Sequence, residues 1–371
     1  MKPQILFVDD EAKILQGLKR TLRPLRNEWD VDFAVGGAEA LEKMAAQPAD
    51  VVVSDMRMPG MEGSVLLDRV REAYPATVRF VLSGQCDEDS VYRLTANSHQ
   101  FFAKPCDAER LTAAIRAVLA RREAVASADC RLAAARAAIL PGDPEIDATL
   151  RTALLADAPL EEVTELVAGD PALVVKLLQL SGSAYFGTGS GVTSLGQAMQ
   201  RLGAETLKRL ILDHDLPALL SGNAEAASIW QRSRDCASLA RQIARSEELG
   251  EEAIGMAGLS GLLLRAGDLL LTAEGDRVCR TQSAALGAYL LALWGVPRPI
   301  VEAVAFHAAP AAAPDPQNRL LAVVHAAAHL TADPEAAERP DLDLGFLEQL
   351  GLEARVPVWS EAAAQVGGGD D

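Results

Sequence analysis

Five short apolar runs, near residues 4–9, 30–35, 50–55, 78–83 and 100–103, recur through the first third of the chain. Their length and their Val, Ile and Phe content predict strands. The intervals near 11–25, 38–46, 62–73 and 87–97, and a last stretch from about 107 to 122, carry apolar residues at helical spacing. Such alternation gives a parallel sheet with helices on both faces. Gly36-Gly37, Pro59-Gly60 and Pro75 mark the breaks. The last helix runs on through Ala117-Val118-Leu119-Ala120-Arg121-Arg122, either as a rigid rod or dimer seam or as a simple linker.

From about residue 130 no strand signal survives. Thr149–Leu155, Glu161–Val167, Pro171–Leu180, Leu195–Arg201 and Leu207–Leu212 predict short helices, and longer ones follow near 224–247, 251–272, 281–294, 298–307 and 316–331. Asp170-Pro171 is a helix start, Asp as N-cap and Pro at the first helical position. The pattern therefore predicts an α/β doubly wound, five-stranded parallel sheet over residues 1–125 and an all-α, multi-helix domain over 126–335. The Ala-, Asp- and Pro-rich stretch 336–371 reads as an extension whose end is disordered.

Polar residues punctuate the strand ends. Asp9 and Asp10 follow Ile5–Val8, Asp55 follows Val51–Ser54, Ser83 follows Phe80–Leu82, and Lys104-Pro105 follows Phe101–Ala103. The carboxyl ends of parallel strands line one edge, where ligands collect. Three crowded carboxylates repel one another unless a hard cation joins them, and oxygen donors suit Mg²⁺. A carboxylate can also attack a phosphoryl group to give an aspartyl phosphate. That reaction needs mainly positioning and charge stabilisation, which the Lys104 ammonium and the Ser83 hydroxyl can supply.

Together these pieces resemble the receiver domain of bacterial two-component response regulators, over about residues 1–125. The resemblance implies a flavodoxin-like fold with Asp55 as phosphoacceptor. It implies Mg²⁺ held by Asp10, Asp55 and the backbone carbonyl of Arg57, with Asp9 acting mostly through water. Ser83 and Lys104 would bind the phosphoryl group, Phe101 would be the aromatic switch residue, and Lys104-Pro105 would be a cis peptide. A sensor histidine kinase would be the donor, and a homodimer through the receiver is the family-based expectation.

Composition narrows the remainder. Hydrophobic residues make up 49% of the 371 but aromatics only 4%, which favours helical cores of Leu, Ala and Val. Residues 1–125 hold 17 Lys and Arg against 19 Asp and Glu; residues 126–371 hold 18 against 33. So acidic a second half is a poor DNA binder, because phosphate neutralisation dominates that affinity. Five scattered cysteines without a CxxC suit a reducing cytoplasm and argue against a zinc site or a disulfide framework. No opening segment reads as a signal peptide. The apolar stretches after Ala257 and near Ala284 are interrupted by Arg265 and Asp268 and by Pro297, so neither reads as a membrane span.

A second resemblance begins at Ala168-Gly-Asp-Pro-Ala-Leu-Val-Val-Lys-Leu-Leu-Gln-Leu-Ser-Gly-Ser-Ala-Tyr-Phe-Gly187. It continues through Val192–Gly203, Trp230, Gly258–Leu271 and Phe306–Leu330. These segments look like the HDOD domain, an HD-related output domain of bacterial signalling proteins. Hydrolases of the wider superfamily carry an adjacent His-Asp pair on the helix that here reads Gly261-Leu-Leu-Leu-Arg-Ala-Gly-Asp268, which puts Leu264 and Arg265 at the ligand positions. The literal pair His214-Asp215 lies elsewhere and reads as local capping. His325 and His329 share a helix face at a metal-compatible spacing, but no carboxylate accompanies them; Ala328 stands where the family has Asp. No catalytic residue is assigned in this half. Two functions follow: a receiver controlling a non-catalytic half that binds a downstream signalling protein, or a receiver-gated, metal-dependent phosphodiesterase for a cyclic dinucleotide. Leu264-Arg265 favours the first.

Overall fold

The structure, a computed structural model, describes residues 2–84, 97–105, 107–182, 192, 194–213, 224–274, 282–315, 317–332 and 341–366. The chain divides into two compact units, the first chiefly Met1–Ala138 and the second chiefly Ile139–Leu178, Gly191–Ala292 and Val296–Asp371.

In the first unit β1 (Gln4–Asp9), β2 (Asp30–Val35), β3 (Val51–Asp55), β4 (Val78–Ser83) and β5 (Gln100–Ala103) form one sheet in the order β2-β1-β3-β4-β5. Every neighbouring pair is parallel. The three central strands are buried almost throughout, which is why they read as largely apolar runs. Leu6, Val8, Val52 and Val81 pack under α2 (Gly37–Ala46) and α3 (Gly63–Ala73) through Met44, Leu66, Leu67 and Val70. The first helix, α1, spans only Ala12–Thr21, because Pro24 turns the chain into a 3-10 segment at Arg23–Asn27. The helix expected near 87–97 falls almost wholly outside the described residues.

The last helix of this α/β run, α4 (Ala108–Ala124), is capped by Asp107, whose carboxylate accepts from the Glu109 and Arg110 amides. It does not continue as a rod: Val125 is extended, and Ser127 caps a separate helix, α5 (Ala128–Arg136). Arg122 pairs with Asp50 at 2.7 Å and anchors the end of α4 at the amino end of the sheet.

The second unit is helical, with no strand among its described residues. Its helices are α6 (Pro144–Leu155), α7 (Leu160–Ala168), α8 (Pro171–Ser181), α9 (Leu195–Lys208), α10 (Ala224–Ser246), α11 (Glu251–Leu263), α12 (Ala266–Glu274), α13 (Ser283–Leu293), α14 (Arg298–Phe306), α15 (Arg319–Leu330), α16 (Leu344–Gln349) and α17 (Val356–Val366). Asp170 starts α8 as expected: its buried carboxylate accepts from the Ala172 and Leu173 amides at 2.8 and 3.1 Å. The helices expected at 195–201 and 207–212 are parted at Gly203, whose backbone is non-helical (φ 76°, ψ 159°). The single helix expected over 251–272 is two, broken at Leu264-Arg265.

Helices α10 and α11 cross so closely that a methyl group on Gly261 would stand 2.8 Å from the Ala237 backbone. The core around this pair includes Leu239, Ile243, Ile254, Leu321, Val324, Phe346 and Trp359. The stretch read as an extension thus supplies α16 and α17, with Phe346 and Trp359 almost completely buried. The Trp359 indole donates to Glu247 at 3.0 Å, and Arg355 donates to the same carboxylate oxygen at 2.7 Å. The span Glu251–Thr272 is long and apolar enough to cross a membrane by length and composition, yet 78% of its apolar window is buried within the protein. The cysteine expectation needs correction. Cys130 is disulfide-bonded, whereas Cys236 is a free, buried thiol.

Candidate functional site

The strand order reverses between β1 and β3, the place where open α/β sheets collect ligands at the carboxyl ends of their strands. Asp9 ends β1 and Asp55 ends β3, both buried, while Asp10 on the following turn is not. Carboxylate oxygens of Asp9, Asp10 and Asp55 lie within 4.8 Å of one another. Lys104, immediately after β5, donates to Asp9 Oδ2 at 2.7 Å and stands 2.7 Å from Asp55 Oδ1. Its peptide bond to Pro105 is cis. Ser83 ends β4 beside Ala103 and is also buried. Four strands thus deliver their polar ends to one place.

The neighbouring backbone fixes this cluster. Asp9 Oδ1 accepts from the Glu11 amide at 2.9 Å, and the Lys104 amide donates to the Ser83 carbonyl at 2.8 Å. The Gly63 amide donates to the Met56 carbonyl at 2.8 Å, which draws the start of α3 onto the Asp55–Met56 backbone. A Cβ on Gly63 would stand 2.0 Å from the Asp55 carbonyl oxygen, so only glycine fits. Gly63 was not singled out in the sequence; a glycine closing the Pro59-Gly60 loop was its only signal.

Burial holds the Asp55 carboxyl above the usual carboxylate range; Lys104 pulls it down, and the charge of Asp9 adds to the rise. For Lys104, burial opposes the charge, but hydrogen bonds to Asp55 and Asp9 outweigh it and keep the ammonium above the ordinary lysine value. Three converging carboxylates are a donor set for a hard divalent cation, and Mg²⁺ fits the oxygen chemistry. The Arg57 side chain is exposed, while the Phe101 ring is buried against the face that carries Val81.

In the helical unit the expected positions are filled differently. Leu264 is buried in the apolar core, and Arg265 pairs with Asp268 at 3.5 Å, whose other oxygen accepts from Ser283. His325 uses both ring nitrogens on backbone groups: Nδ1 donates to the His307 carbonyl at 2.6 Å, and Nε2 accepts from the Asp343 amide at 2.9 Å. That bonding fixes the tautomer: Nδ1 carries the proton, and the Nε2 lone pair that a metal would use is taken by the Asp343 amide. Burial drives the His307 imidazole down to about 4, with Arg265 and His325 adding to the fall. His214-Asp215 lies outside the described residues.

Comparison with known proteins agrees with this division. The response regulator receiver domain model matches residues 5–116, and the HDOD domain model matches residues 140–276. Over 114 residues the chain is 34% identical to the hydrogenase transcriptional regulatory protein HoxA of Cupriavidus necator, covering 30% of this chain and 23% of that protein. It is 32% identical over 126 residues to the transcriptional regulatory protein PrrA of Mycobacterium tuberculosis, covering 34% and 53%. The chain therefore spans about half or less of the length of these relatives. A receiver domain of an HD domain-containing protein from Pseudomonas fluorescens aligns at 33% identity and a TM-score of 0.30, covering 31% of this chain and 93% of that one. The chain thus joins a response regulator receiver domain to an HDOD domain.

Proposed function

We propose that this protein is a two-component response regulator in which a sensor histidine kinase phosphorylates Asp55, and the modification controls a non-catalytic HDOD half that binds a downstream signalling protein. The convergence of Asp9, Asp10, Asp55 and Lys104 at the end of the parallel sheet carries this reading. An Asp55 carboxylate oxygen attacks the phosphorus of a phosphohistidine; the P–O bond forms as the P–N bond breaks, and the imidazole leaves with a proton from solvent. Lys104 already lies beside Asp55 and supplies one positive charge to the incoming oxygens. The Ser83 hydroxyl offers one of them a hydrogen bond. Asp9, Asp10, Asp55 and the Arg57 carbonyl would hold Mg²⁺, whose charge offsets that of the phosphoryl group.

The added charge, about −1.5 to −2, draws Ser83 toward the phosphoryl group and reorients Phe101. For the helical half, the Arg265–Asp268 pair and the fully engaged His325 ring speak for an interaction domain over a metal hydrolase. Its acidity speaks for a protein target rather than DNA, although the relatives are named transcriptional regulators. The receiver is the surface proposed for a homodimer, and the cytoplasm the compartment. Incubation with Mg²⁺ and acetyl phosphate should label the wild-type protein and leave Asp55→Asn unlabelled, read by intact mass. Equal labelling of both removes Asp55 from the role. Stoichiometric manganese or iron in the purified protein would instead favour the phosphodiesterase.

A further inference from the structure

The family matches leave residues 117–139 between the receiver and the HDOD domain, and α5 (Ala128–Arg136) lies in that interval. Such a connector is held by its disulfide at Cys130 and by what grips its backbone and its buried face. Cys130, Ala134 and Ala135 form that face, all fully buried. At its carboxyl end the Ala135 carbonyl, one of the last four in the helix, has no partner within the helix itself.

Two buried side chains from the sheet supply donors to it. Arg79 Nη2 donates to the Ala135 oxygen at 3.0 Å, and His99 Nε2 lies 3.1 Å from the same atom. The tautomer follows from the other nitrogen. His99 Nδ1 accepts the Arg79 backbone N–H at 3.0 Å, so Nε2 carries the proton and donates. The remaining Arg79 nitrogens are committed as well, Nε to the Asn97 carbonyl at 2.7 Å and Nη1 to the Thr77 carbonyl at 2.8 Å. A guanidinium fixed at a helix carboxyl terminus also complements the helix dipole. Both residues are almost wholly buried, so this polar cluster sits where an apolar strand pair would ordinarily be.

Position gives the cluster its meaning. Arg79 is the second residue of β4, whose last residue is Ser83. His99 immediately precedes β5, which Lys104 immediately follows, with Phe101 between them. The His99 amide also donates to the Arg79 carbonyl at 2.8 Å, tying the two strand entries together. The same two strands therefore present the phosphoryl-binding residues at one end and the grip on the connector at the other.

We infer that Arg79 and His99 form a latch on the Ala135 carbonyl through which the state of Ser83, Phe101 and Lys104 sets how firmly the connecting helix is held to the receiver. This rests on the phosphoacceptor reading of Asp55. A shift of β4 against β5 on phosphorylation changes the spacing of Arg79 and His99, and a shared acceptor cannot follow both donors. The connector then loosens or re-seats, and the HDOD half receives the signal through it.

The test is hydrogen exchange of peptides spanning 126–138 in the full-length protein, with and without acetyl phosphate and Mg²⁺, with Asp55 occupancy measured by intact mass in the same samples. In wild type, phosphorylation should change the exchange of this segment at least about threefold. Arg79→Lys keeps the buried cation but loses the fork; its connector should exchange about tenfold faster, as for loss of a charge-assisted hydrogen bond. It should still be phosphorylated, yet show no further change. His99→Gln should respond the same way and guards against a fault peculiar to the arginine variant. Phosphorylated wild type with unaltered exchange at 126–138 overturns the latch and leaves the receiver reading standing. So does a variant that keeps the wild-type response. Absence of phosphorylation in wild type overturns the receiver reading itself, and the latch then loses its input.

Discussion

Lys104 bridges two buried carboxylates, and its removal should leave Asp9 and Asp55 facing each other without the ammonium between them. Lys104→Ala should lower receiver stability by about 3–5 kcal/mol, the usual cost of stranding buried charge. Added Mg²⁺ should restore part of that loss; thermal unfolding in EDTA and in Mg²⁺ separates the two states. Two residues of the helical half respond to pH in opposite directions. His307 falls to about 4 from an ordinary 6.5, so its contribution to stability is present above pH 6.5 and lost as pH drops through about 4. Asp170, raised by burial to about 6 from 3.8, contributes stability below pH 3.8 that is lost as pH rises through about 6. Each is worth at most about 3 kcal/mol. Asp170→Asn should therefore steepen the gain in stability between pH 4 and 6.5, and His307→Gln should flatten it, both measured by urea unfolding across that range.

Glycines make the clearest test of how the helices are seated. Gly63→Ala should push α3 away from the Asp55 backbone, costing about 2–4 kcal/mol and slowing phosphorylation. Gly17→Ala, in the exposed middle of α1 with nothing near its Cβ position, should stabilise by about 0.5–1 kcal/mol. Paired denaturation curves check both, and similar losses in the two variants would refute the steric account. The central strands were readable because parallel strands buried on both faces cannot alternate, so each shows as a largely apolar run ending in a polar residue. The break at Leu264-Arg265 was not. The apolar spacing passes through it without interruption. The Arg79–His99 cluster did leave a trace, a charged residue inside the apolar run of β4. Its partner, a backbone carbonyl over fifty residues later, leaves none.

The helical half is completed by residues whose composition suggested little structure. Phe346, Leu347, Leu352 and Trp359 are sparse among Ala, Asp and Glu, and local pattern cannot show that a distant cleft between helices awaits them. Trp359→Ala should cost that half about 3–5 kcal/mol, seen as a lower urea midpoint of the helical circular dichroism signal. Glu247→Gln should cost less, because its amide oxygen can still accept from both Trp359 and Arg355. The two ends of this contact lie 112 residues apart in the chain. During synthesis the sheet has every strand by Ala103, so the input module can be finished while its effector still exposes an unclosed apolar cleft. For that interval the finished sheet stands ahead of a helical half whose apolar residues are still open to water.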